Sequence, residues 1–257
     1  MNVFKELYNY RELLKTCIRK EVRGKYKGSW LGVIWTFLNP LLMLAVYAFV
    51  FPYILRVPVE NYTIFMMVAL IPWTYFSSAL SSGTGCITGQ GGLLKKVYFP
   101  REIIPISITV SQLINYLITC IIMFVFILFS GVGFSSHLIL FPILVIIQTI
   151  LTLGLNFILS AITVYVNDVA HFVQVGLSLA FYATPIVYLS SMLPAKFQWA
   201  IHANPMAVLV EANRSVLFYH QWPDFKWLLI WTVISVIILI VGYLIFKKLE
   251  KSFVEEL

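Results

Sequence analysis

IIPISITVSQLINYLITCIIMFVFILFS, residues 103–130, opens a stretch from Ile103 to Asn167 that contains no Asp, Glu, Lys or Arg. An α-helix rises about 1.5 Å per residue, so about 20 apolar residues cross the roughly 30 Å hydrocarbon core of a bilayer. The uncharged stretch holds two such crossings, 103–130 and 138–166, joined by a tight turn at Gly131-Val132-Gly133. Glu102 stands immediately before it and Asp168 immediately after it, so both ends are marked by charge.

The whole composition agrees. Of the 257 residues, 60% are hydrophobic and 11% are charged, against about 25% charged in a soluble globular domain. The expected fold is an all-α integral membrane protein, a single transmembrane domain over residues 1–257, with room for six spans and no separate soluble domain. A net charge of +7 could suggest nucleic acid. The cations cluster beside apolar runs, however, which points to membrane orientation and anionic headgroups, not to nucleic acid. Cys17, Cys86 and Cys120 are scattered and match no metal or disulfide spacing. The basic residues ahead of the first apolar run lead to no small-residue cleavage site, so that run reads as a retained span.

Outward from the uncharged stretch, the remaining spans are 30–54, 62–84, 171–189 and 227–246. Asn39-Pro40 predicts a kink in the first, and Pro72-Trp73 lies at mid-depth in the second. Residues 1–29 are amphipathic: Val3, Phe4, Leu7, Tyr10, Leu14 and Ile18 share one helix face, and Lys5, Glu12, Lys15, Arg19 and Lys20 lie largely on the other. Arg11 intrudes on the apolar arc and has to snorkel. This reads as an interfacial helix on the inner leaflet. A helix packed on a soluble partner is the alternative, disfavoured by Arg23, Lys25 and Lys27 just before the first span. Between the fifth and sixth spans, 190–226 is broken by Pro194, Pro205 and Pro223 into short amphipathic pieces, 195–203 and 206–219.

Lys and Arg fix the orientation. Eight precede residue 30, three lie in 85–102 and three in the tail after residue 246; only Arg56, Lys196, Arg214 and Lys226 fall on the other side. That asymmetry predicts both termini inside and an even number of spans. The 85–102 segment is basic and aromatic, with Pro100 and Pro105 bracketing Arg101 and Glu102. Each proline disfavours helix in the residue before it, so a short surface helix should stop near Phe99. Such a helix with an aromatic tip suits a partner's grip; an ordinary loop obeying the positive-inside rule would carry the same charge.

The chemistry missing from the chain is also informative. Ion-driven carriers place charged or His side chains near mid-membrane. The span interiors here offer only amides and hydroxyls, among them Asn39, Gln112, Asn115, Gln148 and Asn156, which suit interhelical hydrogen bonds. His137, His171, His202 and His220 are far apart, near span ends, and form no catalytic set. The Gly83–Gly92 region lacks the lysine of a phosphate-binding loop. If ATP drives this protein, another chain hydrolyses it. A secondary carrier of a lipid or sugar, not driven by ATP, is the alternative; loss of transport under an uncoupler would favour it.

Four regions together resemble the membrane subunits of ABC exporters for lipid-linked polysaccharides: wall teichoic acid, O-antigen and capsule. They are Lys25-Tyr26-Lys27-Gly28-Ser29-Trp30-Leu31-Gly32 leading to Trp35-Thr36-Phe37-Leu38-Asn39-Pro40; Leu94-Lys95-Lys96-Val97-Tyr98-Phe99-Pro100-Arg101-Glu102; Tyr165-Val166-Asn167-Asp168-Val169; and Asn204-Pro205-Met206 with Glu211 and Arg214. The resemblance covers the whole length. It implies a permease in the bacterial cytoplasmic membrane, a homodimer of six-span subunits bound to two copies of a separate ATPase that carries ATP and Mg. It implies no enzyme activity or cofactor in this chain, and an undecaprenyl-lipid-linked glycopolymer as substrate. Residues Leu94 to Glu102, with Asn167 and Asp168, would meet the ATPase. The conduit would run at the subunit interface along the first and fifth spans, and 190–226 would form short re-entrant helices at the outer mouth.

Three expectations name residues. Tyr98 and Phe99 should be buried against the ATPase. Glu211 and Arg214, three residues apart, share a helix face and should pair with each other or with the neighbouring subunit, unless they are merely a solvated pair. Tyr47 and Phe51, four apart, and Phe181 and Tyr188, seven apart, each share a helix face and offer rings to sugars, unless they are core and lipid-facing aromatics.

Overall fold

The computed structural model describes residues 8–24, 35–50, 59–95 and 98–257, and every regular element among them is helical. Its centre is α3 (Tyr62–Thr84), a largely apolar helix enclosed by other helices along most of its length. Around it stand α5 (Ile103–Phe129), α6 (Phe141–Tyr165), α2 (Trp35–Phe49), α7 (Val169–Ala183) and α9 (Pro205–Leu217); α10 (Phe225–Leu249) packs on α6 at the periphery. Four helical stretches among the described residues are long and apolar enough to cross a membrane: Tyr62–Thr84, Ile103–Phe129, Ser136–Tyr165 and Phe225–Ser252. α2 and α7 have 15 residues each, a rise of about 22 Å.

The stop of α7 has a local cause. Pro185 pushes Thr184 out of the helical region, to φ −101° and ψ 132°. Asn204 then works in two directions. Its Nδ2 donates to Thr184 Oγ1 at 2.9 Å, and its Oδ1 accepts from Met206 and Ala207 N–H groups, capping α9 with Pro205 in the first turn. One side chain thus fastens the end of α7 and starts α9.

Polar side chains inside the bundle tie helices together as expected. Gln148 Nε2 donates to the Pro72 carbonyl at 2.7 Å, joining α6 to α3 at the proline, and Asn156 Nδ2 donates to Thr109 Oγ1 at 2.9 Å, joining α6 to α5. Gln112 reaches Ser82 at 3.5 Å, the limit of a hydrogen bond. α6 and α10 meet through glycines: a Cβ on Gly154 would lie 2.7 Å from the Leu239 nitrogen, and one on Gly242 would strike the Gly154 carbonyl. The turn after α5 uses Gly131 and Gly133 at φ 82° and 74°, the left-handed region.

Two apolar clusters divide the bundle. The larger surrounds α3. The smaller lies at the basic end, where Cys17 of α1 (Arg11–Gly24) packs with Ile103, Ile104, Phe157, Phe246 and Phe253. α1 turns Tyr10, Leu13, Leu14 and Cys17 inward, which widens the predicted apolar face; Val3, Phe4 and Leu7 lie outside the described residues. Burial pushes the Cys17 thiol pKa up, so it behaves as a small apolar side chain. Arg11 is exposed and folds over the Tyr8 ring at 4.4 Å. The tail is less polar than its lysines suggest: after α10 the chain bends into α11 (Phe253–Glu256), and Phe253 is wholly buried.

Candidate functional site

A groove of about 370 Å³ lies between α2, α3 and α7. α3 presents Thr74, Ser77 and Ser81 to it, spaced three and four residues apart and so on one face; α7 presents Gln174 and Ser178, four apart. Trp73, Phe181 and Tyr182 supply aromatic walls. The hydroxyl protons are committed to the helices' own carbonyls: Thr74 to Ile71 at 2.8 Å, Ser77 to Thr74 at 3.4 Å, Ser178 to Gln174 at 3.0 Å. Their oxygen lone pairs remain to accept bonds from a ligand rich in hydroxyl donors. Among the described residues, no charged one lines the groove.

Of the four predicted conduit aromatics, Phe181 lines this groove, edge-on to Trp73 at 5.9 Å and to Tyr182 at 5.3 Å. Tyr188 does not share its helix face, because α7 ends at Ala183; the chain folds back and Tyr188 Oη donates to the Tyr182 carbonyl at 3.1 Å. Phe51 and the Tyr47 side chain lie outside the described residues.

The basic end separates the coupling segment into inward and outward residues. Tyr98 is 90% exposed, whereas Phe99 is 4% exposed, packed with Leu94 of the short α4 (Gly91–Leu94) in the chain's own smaller core. The expectation that both rings face a partner is therefore corrected: Tyr98 alone is free to do so. Lys95 points outward, and Lys96 and Val97 lie outside the described residues. Glu102 is wholly buried and meets Lys247 Nζ at 2.9 Å; Lys247 also holds Glu250 at 3.0 Å. Pro100 is half-buried, and Arg101 beside it donates to the Glu250 carbonyl and lies over Phe253 at 5.9 Å. The Tyr165 ring also meets Phe253, and its hydroxyl donates to the Leu249 carbonyl at 2.8 Å. The exposed Asn167 and Asp168 follow directly. The C-terminal turn thus braces both segments that the resemblance assigns to the ATPase contact.

At the opposite end, Arg214 on α9 is 1% exposed. Its Nη1 meets Glu211 Oε1 at 2.9 Å, its Nη2 donates to the Ile186 carbonyl at 2.7 Å, and its guanidinium carbon lies 3.6 Å from the Phe65 ring centroid. The expected pair forms within the chain and is buried on the arginine side, not solvated. Tyr62 Oη, from the first turn of α3, donates to the Val187 carbonyl at 2.8 Å, so Tyr62 of α3 and Arg214 of α9 fasten the same turn of chain, 184–188. Nearby, burial pushes the Tyr219 hydroxyl pKa up against the opposing pull of Arg214.

The sequence model of the ABC-2 type transporter family matches residues 12–218. This chain belongs to that family. As an ABC-2 type transporter with long apolar helices, it is a multi-pass membrane protein. It is 36% identical to the O-antigen export system permease protein RfbA of Myxococcus xanthus, over 100% of both chains. It is 34% identical to the protein of that description in Klebsiella pneumoniae, over 95% of this chain and 94% of the relative. It is 20% identical to the polysialic acid transport protein KpsM of Escherichia coli, over 91% and 92%.

Two features of this transporter escaped sequence reasoning. The hydroxyl stripe at 74, 77 and 81 and the 174, 178 pair were visible as helical spacings but are inconspicuous among many Ser and Thr. The Lys247 bond to Glu102 spans 145 positions. Its only trace was that Glu102 is the sole carboxylate between Glu60 and Asp168.

Proposed function

We propose that this chain is the permease subunit of an ATP-driven exporter that moves an undecaprenyl-lipid-linked glycopolymer across the bacterial cytoplasmic membrane. The observation that carries the reading is the uncharged groove between α2 and α7, with ring faces and hydroxyl acceptors matched to sugar. The names of these relatives support the polysaccharide class, O-antigen before teichoic acid or capsule. In this reading the domain is one six-span unit with both termini cytoplasmic, by the Lys and Arg distribution, and 190–226 is the outer re-entrant segment. Two subunits face each other across α2 and α7, with Tyr47 and Phe51 continuing the conduit of Phe181.

The chain supplies no ATP site of its own; two copies of a separate ATPase bind ATP and Mg. That ATPase is gripped by Tyr98, Lys95, Lys96, Asn167 and Asp168. Leu94, Phe99 and Glu102 hold the segment in place from within. Deleting the chain should abolish surface polysaccharide. Export restored by the chain should stop when the partner ATPase loses its nucleotide-binding lysine and should continue when an uncoupler collapses the proton gradient. Export that needs the gradient and no ATPase would overturn the reading in favour of a secondary carrier.

A further inference from the structure

The end of the bundle opposite the basic one holds another cavity of about 370 Å³, between α8 (Gln198–Ala203), α9 and the start of α10. His202 reaches it from α8, Glu211 and Ser215 from α9, Asp224 and Trp227 from the entry to α10, and Ser190 from the preceding loop. His202 and Trp227 lie flat on one another, centroids 4.5 Å apart and planes 8° apart, and make a rigid apolar wall. Trp231 Nε1 holds that wall by donating to the His202 carbonyl at 2.8 Å.

The same cavity is lined by acceptors. Glu211 commits Oε1 to Arg214, and Asp224 commits one oxygen to the Lys226 N–H at 3.0 Å; each keeps a second oxygen for which no partner occurs among the described residues. Rings and carboxylate acceptors in one cavity are complementary to a sugar ring, which has an apolar face and a rim of hydroxyl donors. The charge is one-sided as well. Among the described residues, no Lys or Arg lines this cavity, the one of about 420 Å³ that holds Glu60, or the α2–α7 groove. Of the nearby cations, Arg214 is paired with Glu211 and held against Ile186 and Phe65, Lys196 lies over the Phe197 ring, and Lys226 lies over the Trp227 ring at 5.6 Å. A phosphate- or uronate-bearing chain would meet Asp224, whose carboxylate has no side-chain cation paired with it among the described residues.

We propose that this outer cavity is a subsite for an uncharged saccharide unit and disfavours polyanionic chains, an inference that rests on the exporter reading above.

The test uses the complete permease–ATPase complex in lipid nanodiscs, probed by saturation-transfer NMR with a neutral hexose hexasaccharide and with an oligogalacturonate of equal length. The neutral probe should give a signal about five-fold or more above the uronate. Trp227→Leu should reduce it about five-fold, the scale of one lost ring face. Asp224→Asn, which preserves the helix cap, should narrow the neutral-to-uronate ratio. Ser190→Trp, which fills the cavity from a loop, should also remove the neutral signal. Equal signals from both probes, or a neutral signal unchanged in both Trp227→Leu and Ser190→Trp, would overturn the subsite. Surface polysaccharide in a deletion strain separates the two readings: its loss beside a failed NMR test removes only the subsite, and its persistence removes the exporter reading itself.

Discussion

Glu211 and Arg214 differ sharply in burial, and that difference predicts a lopsided mutant cycle. The guanidinium is 1% exposed and the Glu211 side chain 29%. Glu211→Ala leaves a cation sealed in the interior with only the Ile186 carbonyl and the Phe65 face; breaking a buried pair in this way costs about 3–5 kcal/mol. Arg214→Met leaves Glu211, which reaches water, and one orphaned buried carbonyl at Ile186, a cost of about 1–3 kcal/mol. The double variant removes the stranded charge and retains only that second cost. It should therefore be more stable than Glu211→Ala alone, with a departure from additivity of about 3 kcal/mol or more, against about 0.3–0.5 kcal/mol for independent sites. Unfolding of the four purified forms in one detergent, by heat or denaturant, ranks them. If Glu211→Ala proves no less stable than the double variant, the guanidinium is not relying on Glu211 and the reasoning is wrong.

The basic end should show the same asymmetry. Lys247→Met strands the buried Glu102 carboxylate and should destabilise by about 3–5 kcal/mol, whereas Glu102→Gln leaves a lysine that reaches Glu250 and should cost less; comparable melting shifts for the two would refute this. Phe99→Ala should lose about 3–5 kcal/mol of stability as a core truncation, while Tyr98→Ala should melt like the parent and instead weaken ATPase co-purification or coupled hydrolysis; normal coupling in Tyr98→Ala would exclude it as a contact. Gly242→Leu should separate α10 from α6 and lower membrane-integrated yield, and a parental melting profile would show that the helices can part without cost. Asn204→Ala removes a cap worth about 0.5–2 kcal/mol together with the Thr184 bond, and its melting loss should exceed that of Asn204→Asp, which still caps.

Membership of the membrane class, the long spans and the distribution of cations were legible because they depend only on local composition. So was Gly131-Val132-Gly133 as a turn, because φ values near 80° favour glycine. Interhelical roles for Gln148 and Asn156 followed from the cost of a lone amide in hydrocarbon. The end of α7 was legible only in part: Pro185 marks it locally, yet residues 184–189 are apolar enough to read as its continuation, and the Asn204 side chain that fastens the stop lies 20 positions later.

By itself, the sequence determined that Ile103–Asn167 belongs in an apolar setting, since each charge placed there would carry a desolvation cost regardless of its neighbours. Only the tertiary structure decided which faces meet protein. The α3 span window is 78% buried and that of α10 is 17% buried, although α10 is the more hydropathic of the two. Lipid tails are as apolar as a protein core, so hydropathy cannot separate packing from lipid exposure. For the same reason adjacent Tyr98 and Phe99 read alike in sequence and face opposite ways, and Glu102 acquired its partner only when α10 returned to the basic end.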